Sequence, residues 1–314
     1  MTSPAPTVLV FLDPPAFENG RIADSSQPQL MATDLGATRG DGVFESLLAV
    51  QGRPRKVQAH LNRLSSSAAA LDLVLPEQDA WRKAIDTAIN EFRDVHPAPT
   101  PEEDEVVVKL IVTRGVEGAA SPTCWVQASP SPAGSRRQRE TGIDVVLLDR
   151  GFDTEAGERA PWLLLGAKTL SYAVNMAALR FAHKQGADDA IFTSTDGRVL
   201  EGPTSTVLLA HLETVDDGEG SVKTIRRLIT PQHDSGILPG TSQGALFAAA
   251  KAAGWELGYG PLVPQDLFDA DAVWLISSIR LIAPVNHING KEIGTPSVRK
   301  QLTAELNELF AGIE

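Results

Sequence analysis

Val57, Leu61, Leu64, Ala68 and Leu71 recur at spacings of 4, 3, 4 and 3, which lines them along one face of a helix. Such a stripe has to be buried against another element. The segments around it are of a different kind. Upstream, TVLVFL (7–12) reads as a strand ended by DPPAFENG, and TRGDGVFESLLAV (38–50) is a glycine turn followed by a β-rich run that closes at QGRPR. Downstream, Trp81, Ile85, Ala88 and Phe92 mark a second amphipathic helix, and EVVVKLIVT (105–113) and TCWVQAS (123–129) read as strands. Strands and helices alternate over residues 1–130 without the regular spacing of βαβ units, which predicts a smaller α+β domain.

Residues 131–141, SPAGSRRQRET, have the Pro, Gly, Ser and Arg content of an interdomain linker. Residues 142–314 then predict a larger α/β domain. Its strands are IDVVLLD, DDAIFTS, RVLEG, TSTVLLA and DAVWLIS. Its helices run over 171–185, ended by Gly186, over 241–253, ended by Gly254, and through VRKQLTAELNELF. T-D-G and N-G-K read as hairpin turns, and the acidic GEG near 216–220 reads as a loop tip.

Composition excludes several classes. The chain has 314 residues with 28 basic against 40 acidic side chains, a net charge of −12. Nucleic-acid binding calls for clustered basic surface, so no nucleic-acid partner is expected. No apolar run approaches the ~18 residues of a membrane span, and the N-terminus lacks the basic region of a signal peptide; a cytoplasmic protein is expected. The one cysteine, Cys124, lies in a predicted strand and reads as a buried thiol. The six histidines are scattered without helical pairing, so no metal site is expected. Asp188 and Asp189 read as solvated strand flanks.

Five short stretches carry chemistry. Lys168 stands between the apolar run PWLLLGA and a helix-like segment. Apolar neighbours disfavour its ammonium form, and a neutral amine attacks carbonyls. Glu201 ends an apolar strand in RVLEGPTST, where a carboxylate needs an arginine, water or a heterocyclic N–H as partner. ILPGTS opens a helix with two hydroxyls, Thr241 and Ser242, suited equally to helix capping or to a phosphate. Arg63 sits beside the apolar face of the first helix, and Ser277 and Ser278 end a hydrophobic strand in ISSIRLIAPV.

Taken in order, GDGVFE, HLNRL, KTLSY, LEGPTST, ILPGTS and the serines of ISSIRLIAPV resemble the motifs of the fold-type IV pyridoxal-phosphate enzymes, the class IV aminotransferases. That group includes branched-chain and D-amino acid aminotransferases and aminodeoxychorismate lyases. The resemblance spans nearly the whole chain and implies the two-domain D-amino acid aminotransferase-like architecture, with the cofactor lysine in the larger C-terminal domain and a homodimeric assembly. It implies that Lys168 carries pyridoxal 5′-phosphate covalently and that Glu201 pairs with the pyridine nitrogen. Arg63, Thr241, Ser242 and Ser278 would hold the phosphate, and Leu238 would pack on a ring face. Tyr172 either approaches the cofactor or is a core-edge tyrosine.

The implied substrate is a small molecule with an amine and a carboxylate. KTLSYAVNMAAL is most similar to the lyase and D-aminotransferase branches. T-R-G is followed by VEGAAS, without the arginine and histidine of the D-aminotransferases. Arg39 and Arg280 are then the candidate carboxylate readers, which would suit the two carboxylates of aminodeoxychorismate. Elimination to 4-aminobenzoate and pyruvate is the leading expectation. Transamination of D- or branched-chain amino acids, and a noncatalytic cofactor-binding scaffold, stand as alternatives. Arg114 reads as structural, and Glu45 as a hydrogen-bonding residue at the pocket edge.

Overall fold

The computed structural model describes residues 6–12, 18–216, 222–233 and 236–313; the GEG loop tip lies outside them. The chain divides into two compact units, Met1–Pro132 with Ala167–Tyr172, and Ala133–Gly166 with Ala173–Glu314.

The first unit contains β1 (Val8–Phe11), β2 (Arg21–Ala23), α1 (Leu35–Arg39), β3 (Gly42–Val50), β4 (Arg53–Pro54), α2 (Val57–Ala70), α3 (Gln78–Val95), β5 (Glu105–Thr113) and β6 (Thr123–Pro130). The strands form an antiparallel sheet in the order β2-β1-β6-β5-β3-β4. The predicted helix stripes explain which face is covered. Leu61, Leu64 and Ala68 of α2, with Trp81, Ile85, Ala88 and Phe92 of α3, are buried together with Val43, Leu47, Val108, Leu110 and Val126 of the sheet. Because side chains alternate along a strand, Phe44, Lys109, Ile111, Trp125 and Gln127 stand on the opposite face.

The second unit contains α4 (Ala133–Thr141), β7 (Ile143–Asp149), α5 (Ala156–Arg159), α6 (Ala173–Lys184), β8 (Asp189–Thr193), β9 (Thr206–Asp216), β10 (Val222–Pro231), α7 (Thr241–Ala252), β11 (Glu256–Gly260), α8 (Pro264–Asp269), β12 (Ala272–Ser277), β13 (Leu281–Ile288), β14 (Lys291–Glu292) and α9 (Pro296–Ala311). Its mixed sheet runs β11-β10-β9-β12-β13-β7-β8, with β14 added to β13. The central strands read as unbroken apolar runs because both faces are covered. Trp274 and Ile276 pack with Phe247 of α7 and Leu302, Leu306 and Phe310 of α9. Val273 and Leu275 face the other way, into a layer with Ile143, Leu267 and Ile293.

Three expectations are corrected. Most of the segment read as a linker is α4, which packs on β13; Gly134 and the polar side chains did not prevent a helix with little buried surface. Lys168 belongs to the first unit, because the backbone of 167–170 pairs with β3. Asp189 is also not solvated: it is 1% exposed.

Candidate active site

The backbone around Lys168 is clipped to the start of β3 on the edge that β5 does not use. Leu170 N–H donates to the Gly42 carbonyl at 2.8 Å, and Phe44 N–H donates to the Lys168 carbonyl at 3.0 Å. Val43 and Thr169 form the intervening bridge. From α2, the Ser67 hydroxyl accepts the Lys168 N–H at 3.0 Å. Gly42 is required here, since a Cβ at this position would run into the Val112 carbonyl and lie 2.7 Å from Leu170 Cδ1.

Three attachments thus fix the Lys168 backbone, and its side chain meets two rings. Lys168 Nζ lies 4.4 Å from the Phe44 ring centroid and 5.6 Å from that of Tyr172, within cation–π range. The rings meet edge-on at 5.3 Å and 86°. Both line a cavity of about 350 Å³, together with Leu170, Ile111, Trp125 and Lys109. The first unit therefore places a primary amine beside two rings that also line a largely apolar cavity.

On the helix-facing side of β3, Glu45 is 0% exposed. Arg63 grips it as a fork, Nε to Oε1 at 2.6 Å and Nη2 to Oε2 at 2.8 Å. His60 Nδ1 donates to Oε2 at 2.7 Å, the only sense in which a carboxylate can take part. Burial pushes the Glu45 carboxyl up, but the Arg63 charge and fork, with His60, outweigh it and hold the pKa at about 2. Burial depresses the His60 imidazole despite Glu45, so His60 is neutral. Arg63 lies one turn before Ser67, on the α2 face that also holds the lysine segment. The turn before β3 is fixed separately. Arg114 donates to Asp41 through Nε at 2.6 Å and Nη2 at 3.1 Å, and to the Leu71 carbonyl at 2.7 Å. That is the structural role expected of it. Arg39 is exposed at the end of α1.

The other candidates cluster in the second unit. Glu201 Oε2 accepts the Leu238 N–H at 3.1 Å, and Oε1 lies 3.6 Å from Arg150. Arg150 in turn stacks over Phe192 at 4.4 Å. At the start of α7 the Thr241 and Ser242 hydroxyls each lie 3.2 Å from the Ser278 hydroxyl. The N-cap is Gly240, which supplies no side chain to the helix terminus. Arg280 does not stand as a ready carboxylate reader. Its Nη2 lies 2.7 Å from the buried Asp189 carboxylate and 3.4 Å from Ser205, because a buried aspartate at the start of β8 requires a cation.

Lys168 and Tyr172 are thus brought together in the first unit, where Arg63 is held by Glu45 of β3. Glu201 with Leu238, and Thr241 and Ser242 with Ser278, are brought together in the second. Sequence reasoning missed Phe44, Ser67, His60, Arg150 and Lys109. Of these Lys109 carried a signal, being a charge inside the apolar strand EVVVKLIVT.

Residues 42–288 match the family model for amino-transferase class IV. A bifunctional aminodeoxychorismate lyase / D-amino acid transaminase from Mycobacterium tuberculosis is 44% identical over 275 residues, covering 88% of this chain and 91% of that protein. A hypothetical aminotransferase from the same organism, solved in a PLP-bound form, is 41% identical with a TM-score of 0.84, covering 97% of this chain and 98% of that one. Its alpha-ketoglutarate and PMP bound form gives 42% and 0.83, over 96% and 98%. The chain belongs to the class IV aminotransferase family, and its fold is that of the fold-type IV transaminases.

Proposed function

We propose that the protein is a pyridoxal-phosphate enzyme whose leading reaction is the elimination of 4-amino-4-deoxychorismate to 4-aminobenzoate and pyruvate. The observation that carries the reading is the Lys168 amine, fixed by its backbone to β3 and α2 and set against the Phe44 and Tyr172 rings on the wall of a cavity. The donor set fits the cofactor by its chemistry. Lys168 is an amine for an aldehyde, Glu201 a carboxylate for a pyridine N–H, and Thr241, Ser242 and Ser278 hydroxyls for a phosphate at a helix start. Arg63, already oriented by Glu45, adds a guanidinium to that phosphate. Leu238 fits beside the ring, its backbone N–H already on Glu201.

When bound, the cofactor supplies an electron sink for a carbanion next to the substrate nitrogen. Lys168 Nζ takes the α-proton as general base, a contribution of about 10²–10⁴-fold. Phe44 and Tyr172 stand beside that amine and would restrict its approach directions. Glu201, with Arg150 3.6 Å from its Oε1, is the carboxylate that would pair with a pyridine N–H. Lys168 would then either hand that proton to the other carbon bonded to the substrate nitrogen, which leads to transamination, or give it to the departing enolpyruvyl group, which is released as pyruvate while the ring becomes 4-aminobenzoate. D-amino acid transamination is the second reading, favoured by the 44% identical relative that carries both activities. We also read the working form as a homodimer. The exposed Trp162, Leu163, Val174, Met176 and Phe181 are apolar surface of the kind that subunit contacts cover.

Purified protein with pyridoxal phosphate should show a bound-cofactor band near ~410 nm, and Lys168→Ala should lose both that band and turnover. Pyruvate released from aminodeoxychorismate without an acceptor supports the lyase. Glutamate formed from D-alanine only with 2-oxoglutarate supports transamination. A Lys168→Ala protein that keeps the band would refute the role of the lysine.

A further inference from the structure

We propose that Ser67 is a positioning residue: through the Lys168 N–H, its hydroxyl sets where the Lys168 amine stands relative to Arg63, one turn earlier on the same helix. The proposal rests on the readings of Lys168 and Arg63 given above. It starts from three consecutive serines in α2. A serine inside a helix commonly turns its hydroxyl back to the carbonyl one turn earlier. Ser65 donates in this way to the Leu61 carbonyl at 3.0 Å, and Ser66 to the Asn62 carbonyl at 3.1 Å; both are exposed. Ser67 is 2% exposed and reaches out of its helix, accepting at 3.0 Å the N–H of a residue 101 positions away. A buried hydroxyl costs free energy unless it is hydrogen-bonded, and alanine is the better helix former. The helix itself therefore gives no reason for a serine here, whereas Lys168 does.

The contact governs direction as well as place. Peptide units are planar, so the two planes flanking the Lys168 Cα determine where its side chain leaves the backbone. One plane carries the N–H held by Ser67. The other carries the carbonyl, which accepts the Phe44 N–H at 3.0 Å. Helix α2 and strand β3 each hold one side of the residue, and Nζ comes to lie 4.4 Å from the Phe44 ring centroid. Without the Ser67 oxygen only the strand side would still be held.

Arg63 turns this into a matter of spacing. It precedes Ser67 by about 6 Å along the helix axis, and two hydrogen bonds of 2.6 and 2.8 Å lock its guanidinium to Glu45 of β3. The anchor for a phosphate and the anchor for the lysine thus belong to one turn of α2. A ligand held at two points gains from the second only when their spacing matches its own. An aldehyde that carries a phosphate needs that match, and the same aldehyde without the phosphate does not.

The test titrates full-length wild type, Ser67→Ala, Ser67→Thr and Ser66→Ala, each stripped of cofactor, with pyridoxal phosphate and with pyridoxal, which lacks the phosphate. The bound band near ~410 nm is followed. Ser67→Ala should weaken pyridoxal phosphate by about 3- to 10-fold, the scale of one hydrogen bond, and pyridoxal by less than about 2-fold. Ser67→Thr, which keeps the hydroxyl, and Ser66→Ala should both retain the wild-type ratio of the two affinities. Loss of folded protein lowers both affinities alike, so the ratio separates positioning from stability. In hydrogen exchange without cofactor, the Lys168 amide should exchange faster in Ser67→Ala by a similar factor. Equal loss for both aldehydes, no loss for either, or an unchanged Lys168 amide would overturn the proposal. Absence of the band from the wild type would sink the reading of Lys168 instead, while the amide exchange still decides whether Ser67 holds that residue.

Discussion

Glu45→Gln removes one charge from the interior of the first unit and almost no volume. In the folded protein the carboxyl is held from its ordinary 4.5 down to about 2. At about 1.4 kcal/mol per tenfold change, that is a stabilisation of about 3 kcal/mol. Removing one partner of a buried ion pair costs about 3–5 kcal/mol by a separate route, because Arg63, whose side chain is 13% exposed, would be left facing an amide. The folded pKa lies below the unfolded one, so the contribution is complete above the ordinary carboxylate range and is lost as pH falls toward 2. Wild type and variant should therefore differ by about 3 kcal/mol at pH 7, with the gap closing between about pH 5 and pH 2. Hydrogen exchange of peptides from β3 and α2, followed by mass spectrometry across that pH range, reads local stability without assuming that both units unfold together. A gap under about 1 kcal/mol at pH 7, or one that does not change with pH, would refute the assignment of Glu45 as the anion that organises this core.

Other perturbations test other parts of the fold. Gly42→Ala should cost about 1–3 kcal/mol and free the lysine segment, seen as faster exchange of the Phe44 and Leu170 amides. Arg280→Met should destabilise the second unit by about 3–5 kcal/mol by stranding buried Asp189; adding Asp189→Leu should recover most of this in denaturant titrations. Lys56 is brought down to about 7 by burial and then by Arg55. The unfolded chain thus holds one more proton between about pH 7 and 10, and stability should rise with pH over that window. Lys56→Met should flatten the slope in thermal melts.

The periodic parts of the fold were legible in the chain. The stripe 57/61/64/68 and the set 81/85/88/92 became α2 and α3, and most strands from TVLVFL to DAVWLIS fell close to where alternation and apolar runs put them; RVLEG is the exception, making only isolated bridges at Val199 and Gly202. The motif residues also separated sensibly into an amine, a carboxylate and a hydroxyl cluster. What sequence could not give was pairing across long separations. Arg63 with Glu45, Arg114 with Asp41 and Arg280 with Asp189 join residues 18, 73 and 91 positions apart. An isolated arginine reads the same whether it meets a ligand or a buried carboxylate. The linker reading failed because composition alone does not exclude a short helix resting on β13.

Strand β3 is completed by residues more than a hundred positions downstream, and this limits how the chain can be cut. A fragment stopping at Pro132 would expose the Gly42 carbonyl, the Phe44 amide and the Ser67 hydroxyl that now meet Leu170 and Lys168. The first unit is consequently not a portable module. A graft carrying only the N-terminal residues would bring part of the cavity wall without Leu170, Tyr172 or the amine, together with a bare sheet edge open to aggregation.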